Sequence, residues 1–253
     1  MSCENVIHLK NVVKRYGTRN VVDIEDEVLG TCGIEGLIGP NGAGKTTLIN
    51  LISNKISMTK GRILFIRDNE EVDISKSHFD KVSRLGLVRS NQIIQDFESL
   101  TIMDSMLLSL AASKHERFYK IFNDKKVRKQ AEEEIKWYLD FFHFNDPNEN
   151  ADSAGEKKLL DIIRCMMLKP KFLLMDEPTA GLPEDQTNRV IDLMKLKTKE
   201  EGMRILIVEH DLDLIWCVCE KIHFMAEGKI MIQGTPDDIK CNEIVHKKYI
   251  GEY

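Results

Sequence analysis

Apolar and polar positions alternate in short runs over the first third of the chain and predict strands at Val6–Val12, Val21–Val28 and Ile34–Ile38, with Gly, Asn or Thr turn residues between them. A fourth run, Arg62–Ile66, ends at Asp68-Asn69, a pair that favours a turn. From about Thr101 to Arg164 the period lengthens. Met103, Met106, Leu107 and Leu110 fall at helical spacing, as do Ile135, Leu139 and Phe142. Strands return at Phe172–Met175, Arg204–Val208 and Lys221–Met225, alternating with helical stretches Asp185–Lys199 and Leu212–Val218, and Pro236–Tyr253 reads as a short helical tail.

Apolar strands alternating with helices predict a mostly parallel sheet covered on both faces. The helical block interrupts this sheet, because strands resume behind it. The expected architecture is therefore α/β within one domain spanning residues 1–253. Its core comprises residues 1–91 and 161–253, including an N-terminal antiparallel β-subdomain, and residues 92–160 form an inserted helical subdomain.

Composition narrows the function classes. Apolar residues make up 42% and charged residues 30%, which excludes a disordered or collagen-like chain. The formal net charge of −5 does not favour binding to nucleic acid or to an anionic membrane surface. The basic run Lys125–Lys129 is followed by Glu132–Glu134, the pattern of a solvated helix with i,i+4 pairs. The longest apolar stretch, Ser99–Ser113, contains Asp104 and is too short to span a bilayer, which takes about 18 residues or more. The start, Met1–Asn5, lacks the layout of a signal peptide. Six cysteines form no CxxC pair, and Cys217 and Cys219 read as small core or surface residues of a protein in a reducing compartment.

Gly39-Pro40-Asn41-Gly42-Ala43-Gly44-Lys45-Thr46 fits GxxxxGK[ST], follows an apolar strand and opens a helix at Thr47–Ile52. The glycines let backbone N–H groups turn inward around phosphate oxygens, and the helix start adds partial positive charge. Lys45 is placed to bridge β- and γ-phosphates and the Thr46 hydroxyl to hold Mg²⁺. A nucleoside triphosphate site follows, with Gly39, Asn41, Gly42, Ala43, Gly44, Lys45, Thr46 and Thr47 as its binding residues.

Phe172–Met175 runs into Asp176-Glu177, two carboxylates at the carboxyl end of a strand. Asp176 is placed to reach Mg²⁺ through water, and Glu177 to polarise an attacking water as general base. Alone, such a pair before Pro178 is often only an exposed strand end; beside the phosphate loop it completes a site. Glu209-His210-Asp211 closes the strand Arg204–Val208. His210 there is placed to donate to the γ-phosphate and orient the water, while Asp211 reads as a helix N-cap.

In this order, the phosphate loop, the helical block, Leu173-Leu174-Met175-Asp176-Glu177-Pro178 and a strand ending at His210 resemble the ATP-binding subunits of ABC transporters over nearly the whole chain. The resemblance implies a P-loop NTPase core of the RecA-like kind, with ATP and Mg²⁺ as cofactors and hydrolysis coupled to transmembrane transport. It implies that Tyr16 stacks on adenine, although alone it reads as an ordinary strand-end aromatic. It also implies that Gln92 joins Thr46 and Asp176 around Mg²⁺.

Asp152-Ser153-Ala154-Gly155-Glu156 stands where this family carries LSGGQ, a segment that closes over the ATP held by the other subunit. Ser153 and Gly155 keep their types, whereas Asp152 and Glu156 introduce charge. Ser153-x-x-Glu156 is equally a helix capping box, and the two readings are compatible. A carboxylate about 10 Å from the γ-phosphate costs roughly 1–2 kcal/mol per unit of phosphate charge at an effective dielectric near 20, offset in part by Lys157 and Lys158. Thr179-Ala180-Gly181-Leu182-Pro183 departs from the family's SALD, since Pro183 supplies no carboxylate.

Arg89-x-x-Gln92, Phe97–Thr101, Ala180-Gly181-Leu182 and the ending Gly234…Glu252 are most similar to the ATPases of branched-chain amino acid importers, with the lipopolysaccharide-export ATPase as a close cousin. The implied partners are a second ATPase chain, identical or related, and separate integral membrane permeases, with or without a solute-binding protein. The implied location is the cytoplasmic face of the cell membrane. Three alternatives stand beside this: a lipid or lipopolysaccharide exporter, an ATP-binding but weakly hydrolysing partner of a sister chain, and a soluble ATPase acting on ribosomes or DNA. The last would be expected to carry two cassettes or a long coiled coil, and this chain has no sustained heptads.

Overall fold

The computed structural model describes residues 5–68, 70–90, 100–112, 124–144, 146–151 and 153–249. They form two compact units, Met1–Arg89 with Lys171–Glu177 and Met194–Tyr253, and Ser90–Pro170 with Pro178–Leu193.

The first unit holds two sheets. A hairpin of β1 (Val6–Tyr16) and β2 (Arg19–Leu29) turns at Gly17, whose φ of 59° suits a residue without Cβ. Its ladder runs from Ile7 opposite Leu29 to Tyr16 opposite Arg19. Both strands are longer than expected, because the polar residues Lys14 and Arg15 stay on the ladder. β4 (Lys60–Arg67) and β5 (Glu70–Asp73) complete an antiparallel sheet of order β2-β1-β4-β5.

The second sheet has order β10-β9-β3-β8-β7-β6. Its strands are β3 (Ile34–Ile38), β6 (Leu87–Arg89), β7 (Phe172–Asp176), β8 (Arg204–Val208), β9 (Lys221–Ala226) and β10 (Lys229–Gly234). The pairs joining β9, β3, β8, β7 and β6 are all parallel. β10 is antiparallel to β9 and alternates between exposed and half-buried positions, so the sheet is mixed at this edge. Helix α1 (Lys45–Ile52) inserts Leu48, Ile49, Leu51 and Ile52 into a core that also holds Ile7, Leu9, Phe65, Leu37, Leu174 and Val208. α1 opens at Lys45, two residues before the expected start at Thr47. α2 (Phe79–Arg84) precedes β6.

A polar knot lies inside this unit. Glu35 and His223 are both fully buried, with Nε2 and Oε2 2.9 Å apart, and Glu27 Oε1 lies 3.6 Å from His223 Nδ1. Glu35 also accepts from the amides of Gly30 at 2.8 Å and Thr31 at 2.7 Å. Burial pushes the Glu35 carboxyl up, but His223 and these donors outweigh it and hold the pKa at about 2. Burial pushes the neighbouring Cys32 thiol up to about 12.

The second unit is helical: α3 (Ile102–Ala112), α4 (Lys125–Phe141), α5 (Ala154–Met167) and the first part of α6 (Glu184–Glu201). α3 packs on both α4 and α5, and Met106, Leu107, Ile135 and Leu139 are buried in this unit. Arg164 is nine-tenths buried, its Nη1 3.2 Å from Asp161 Oδ1 and its Nη2 donating to Ser105 Oγ at 2.9 Å. The outer face of α4 carries the pairs Arg128–Glu132 and Lys129–Glu133. α5 begins at Ala154, where the capping box of Ser153 and Glu156 places its start.

In the first unit, α7 (Leu212–Val218) starts where expected, its amides capped by Asp211. The expected tail resolves into two short helices, α8 (Pro236–Lys240) and α9 (Glu243–Lys248), each with its own N-cap.

Candidate functional site

The loop between β3 and α1 folds as a cradle. A Cβ at Gly39 would lie 1.9 Å from the Met225 carbonyl oxygen, so only glycine fits there. Gly44 is the N-cap of α1 at φ 106°, no side chain caps the helix, and its first turn holds no acid. Its amides are thus left for an external anion. The loop is fastened by Ala43 N donating to Pro40 O at 3.2 Å and by Gly228 N donating to Ala43 O at 3.0 Å. Asn41, Gly42 and Thr46 are exposed on it, and Thr47 is half-buried.

Lys45 is only 6% exposed and folds over the cradle, its Nζ donating to the carbonyls of Gly39 and, at 3.1 Å, Pro40. Burial lowers its pKa, while Glu177 and Asp176 act in the opposite direction. The ammonium therefore sits within the field of both carboxylates that the sequence singles out.

Glu177 follows β7 with φ 49°, a left-handed conformation uncommon for a residue with a Cβ. Its amide donates to Val208 O at 2.8 Å, and its Oε1 lies 3.0 Å from His210 Nε2. Strand pairing of β7 with β8 thus brings the acid and the imidazole together. His210 faces the carboxylate of Glu177.

Asp176 Oδ2 accepts from Arg89 Nη2 at 3.0 Å, and Arg89 Nη1 donates to Asn50 Oδ1 on α1. Sequence reasoning noted Arg89 only as part of a spacing and passed over Asn50. Its three-residue distance from Gln92 was the one available signal. Gln92 itself lies outside the described residues, as does Asp152.

Tyr16, at the end of β1, is 53% exposed, and Lys14 Nζ stands 4.9 Å from its ring centroid. One face of the ring is thus backed by a cation.

In the helical unit, Ser153 Oγ accepts from Glu156 N and Glu156 Oε2 accepts from Ser153 N, both at 3.1 Å. The capping box is formed, with Ala154 and Gly155 inside the first turn. Lys158 Nζ donates to Ala180 O at 2.7 Å, and Pro183 O accepts from Thr187 N at 2.9 Å.

The Thr46 hydroxyl and the Asp176 carboxylate are hard oxygen donors. Among the described residues no group of three His, Cys, Asp or Glu side chains is arranged to hold a metal ion. That donor set fits Mg²⁺, which keeps most of its water and phosphate ligands, and does not fit a metal needing an all-protein cage.

Residues 31–180 match the family model described as "ABC transporter". Over 254 residues the chain is 28% identical to the high-affinity branched-chain amino acid transport ATP-binding protein BraF of Pseudomonas aeruginosa, covering 98% of each chain. It is 29% identical to the lipopolysaccharide export system ATP-binding protein LptB of Haemophilus influenzae, again over 98% of each chain. Among solved structures, an ATP-binding cassette of an ABC transporter in its ADP conformation superposes with a TM-score of 0.76 at 28% identity, covering 98% of this chain and 99% of that one.

Proposed function

The chain belongs to the ABC transporter family as one of its ATP-binding, ATP-hydrolysing subunits, and we propose that it powers import of amino acids or a related small solute through separate membrane permeases. The similarity to BraF over 98% of both chains supports the substrate class. The observation that carries the catalytic part is the convergence of Lys45, Asp176, Glu177 and His210 at one end of the parallel sheet.

In this reading the amides of residues 39–46 and the Lys45 ammonium bind the β- and γ-phosphates, and Tyr16 stacks on the base. Lys45 leaves its carbonyl partners for the phosphates, trading neutral acceptors for charged ones. Thr46, Asp176 and Gln92 would hold Mg²⁺, which neutralises phosphate charge when bound. Glu177 takes a proton from the attacking water, and His210 holds the Glu177 carboxylate in line.

Two chains, identical or related, pair so that residues 153–156 of each face the ATP of the other. No helix among the described residues is long and apolar enough to cross a membrane. Passage of solute is therefore assigned to partner chains, and this subunit to their cytoplasmic side.

One observation favours a second reading, a weakly hydrolysing partner of a sister ATPase. The amides of Ser153 and Glu156 are already taken by the capping box, which carries a carboxylate. The test combines two measurements. Lys45→Ala is expected to weaken ATP binding at least tenfold; unaltered affinity overturns the nucleotide site. Reconstitution with its permease is expected to raise ATP turnover and drive uptake of an amino acid. Export of lipid selects the LptB-like alternative, and turnover only with a sister chain selects the second reading.

A further inference from the structure

Arg89 joins three pieces of chain that the reaction needs in register. It ends β6, three residues before Gln92. One arm of its guanidinium donates to Asn50 on α1, the helix that opens at Lys45, and the other donates to Asp176 Oδ2 at 3.0 Å at the end of β7. Arg89 is only 6% exposed, and its side chain and that of Asp176 are 8% and 17% accessible, so this pair is poorly screened by water. Sheet pairing fixes the backbone of the pair, with Arg89 opposite Leu174 on β7, two positions before Asp176.

We propose that Arg89 is a positioning residue for ATP hydrolysis, a resident counter-ion that anchors Asp176 to the phosphate-loop helix and competes with Mg²⁺ for its carboxylate. The proposal rests on the reading above that Asp176 serves the Mg²⁺ of bound ATP. A planar fork suits this task, since it holds two oxygens at fixed directions from one side chain, which an ammonium does not. The fixed positive charge opposes a divalent cation arriving at the same carboxylate, and this competition sets the Mg²⁺ concentration the enzyme needs. The anchor fixes where Asp176 stands relative to the cradle, and this sets turnover.

The two effects have opposite signs when Arg89 is removed, and that separates them from a merely structural role. In Arg89→Gln the charge is gone: the Mg²⁺ concentration at half-saturation, read by titrating Mg²⁺ into protein with a fluorescent ATP analogue, is expected to fall about tenfold. Turnover at saturating Mg²⁺ is expected to fall at least tenfold. Arg89→Lys keeps the charge without the fork, so half-saturation stays within twofold of the parent while turnover remains reduced. Because Arg89 is buried, Asn50→Ala provides a milder cut: it removes the α1 anchor, and slower turnover at unchanged half-saturation is expected. Thermal unfolding checks that each variant is folded. Half-saturation that is unchanged or raised in Arg89→Gln overturns the competition, and unchanged turnover in Asn50→Ala overturns the anchoring. Analogue binding in EDTA, with Lys45→Ala as control, reports the nucleotide site separately. If Lys45→Ala binds like the parent, the underlying site reading fails, whatever Arg89 does.

Discussion

His210 Nε2 lies 3.0 Å from Glu177 Oε1, so the imidazole at the end of β8 fixes the carboxylate at the end of β7. The Glu177 backbone is held in a left-handed conformation by the same pair of strands, its N–H donating a hydrogen bond to the Val208 carbonyl oxygen. That arrangement costs on the order of 1–2 kcal/mol and persists because the sheet imposes it. Glu177→Gln retains shape and hydrogen bonding but not basicity. Turnover is expected to fall at least 100-fold while ATP affinity stays within about threefold. Phosphate release and equilibrium binding on the same sample check this, and near-parental turnover would remove Glu177 from the base role.

The partner in that pair makes a separate prediction. His210→Ala leaves the base present but unheld, so turnover is expected to fall about 10- to 100-fold, less than for Glu177→Gln. The double variant should be no slower than Glu177→Gln alone, since the residues act as a unit. Additive losses in a single-turnover assay would contradict the coupling.

Tyr16 offers one open ring face, the other being backed by Lys14. Tyr16→Ala is expected to weaken ATP binding about 3- to 10-fold, and Tyr16→Trp to preserve it. Tripolyphosphate binding, which needs no aromatic platform, should be unchanged in both. Loss of tripolyphosphate affinity would mean that Tyr16 acts through the fold of the β1–β2 hairpin.

Glu156 caps α5 and adds a negative charge to its first turn. Glutamine caps equally well, so Glu156→Gln should leave the helix unchanged. Removal of the charge is expected to tighten ATP-dependent dimerisation about tenfold, following the roughly 1–2 kcal/mol repulsion across about 10 Å. Sedimentation with and without ATP measures it. Equal association of the two proteins would place residues 153–156 away from the partner's nucleotide.

Glu35 predicts a pH dependence of stability. Its folded pKa of about 2 lies below the free value of 4.5. The stabilisation is thus fully present above about pH 5 and is lost as pH falls through the folded value. Glu35→Gln is expected to cost about 3 kcal/mol at pH 7, with the gap to the parent narrowing below about pH 4. Denaturant unfolding at several pH values tests the sign; a gap that widens in acid would refute it.

The central strands were legible because burial on both faces leaves an uninterrupted apolar signature: Ile34–Ile38 and Arg204–Val208 match expectation to the residue. β5 was not, since Glu70, Glu71 and Asp73 leave only Val72 to signal it. β10 was missed because an edge strand alternates weakly, although Glu227-Gly228 marked its hairpin turn. The first turn of α5 carries Glu156, Lys157 and Lys158 in place of apolar residues, so hydrophobic period did not reveal it and the capping pair did. At the site, the phosphate loop and the Asp176-Glu177 pair were singled out by motifs written in contiguous sequence. Arg89 and Asn50 were not, since their meaning comes from strands and helices that meet only after folding.

β3 acquires both its neighbours late, since Ile34 pairs with Ile205 and Glu35 with Lys221. During synthesis the glycine cradle that follows β3 therefore waits, without a sheet to stand on, until more than 160 further residues have left the ribosome. A nascent chain halted before β8 carries the complete phosphate-binding motif and yet has no means of gripping a nucleotide. Ligand capture can begin only once β8 and β9 have been made, which keeps shorter nascent chains from sequestering ATP.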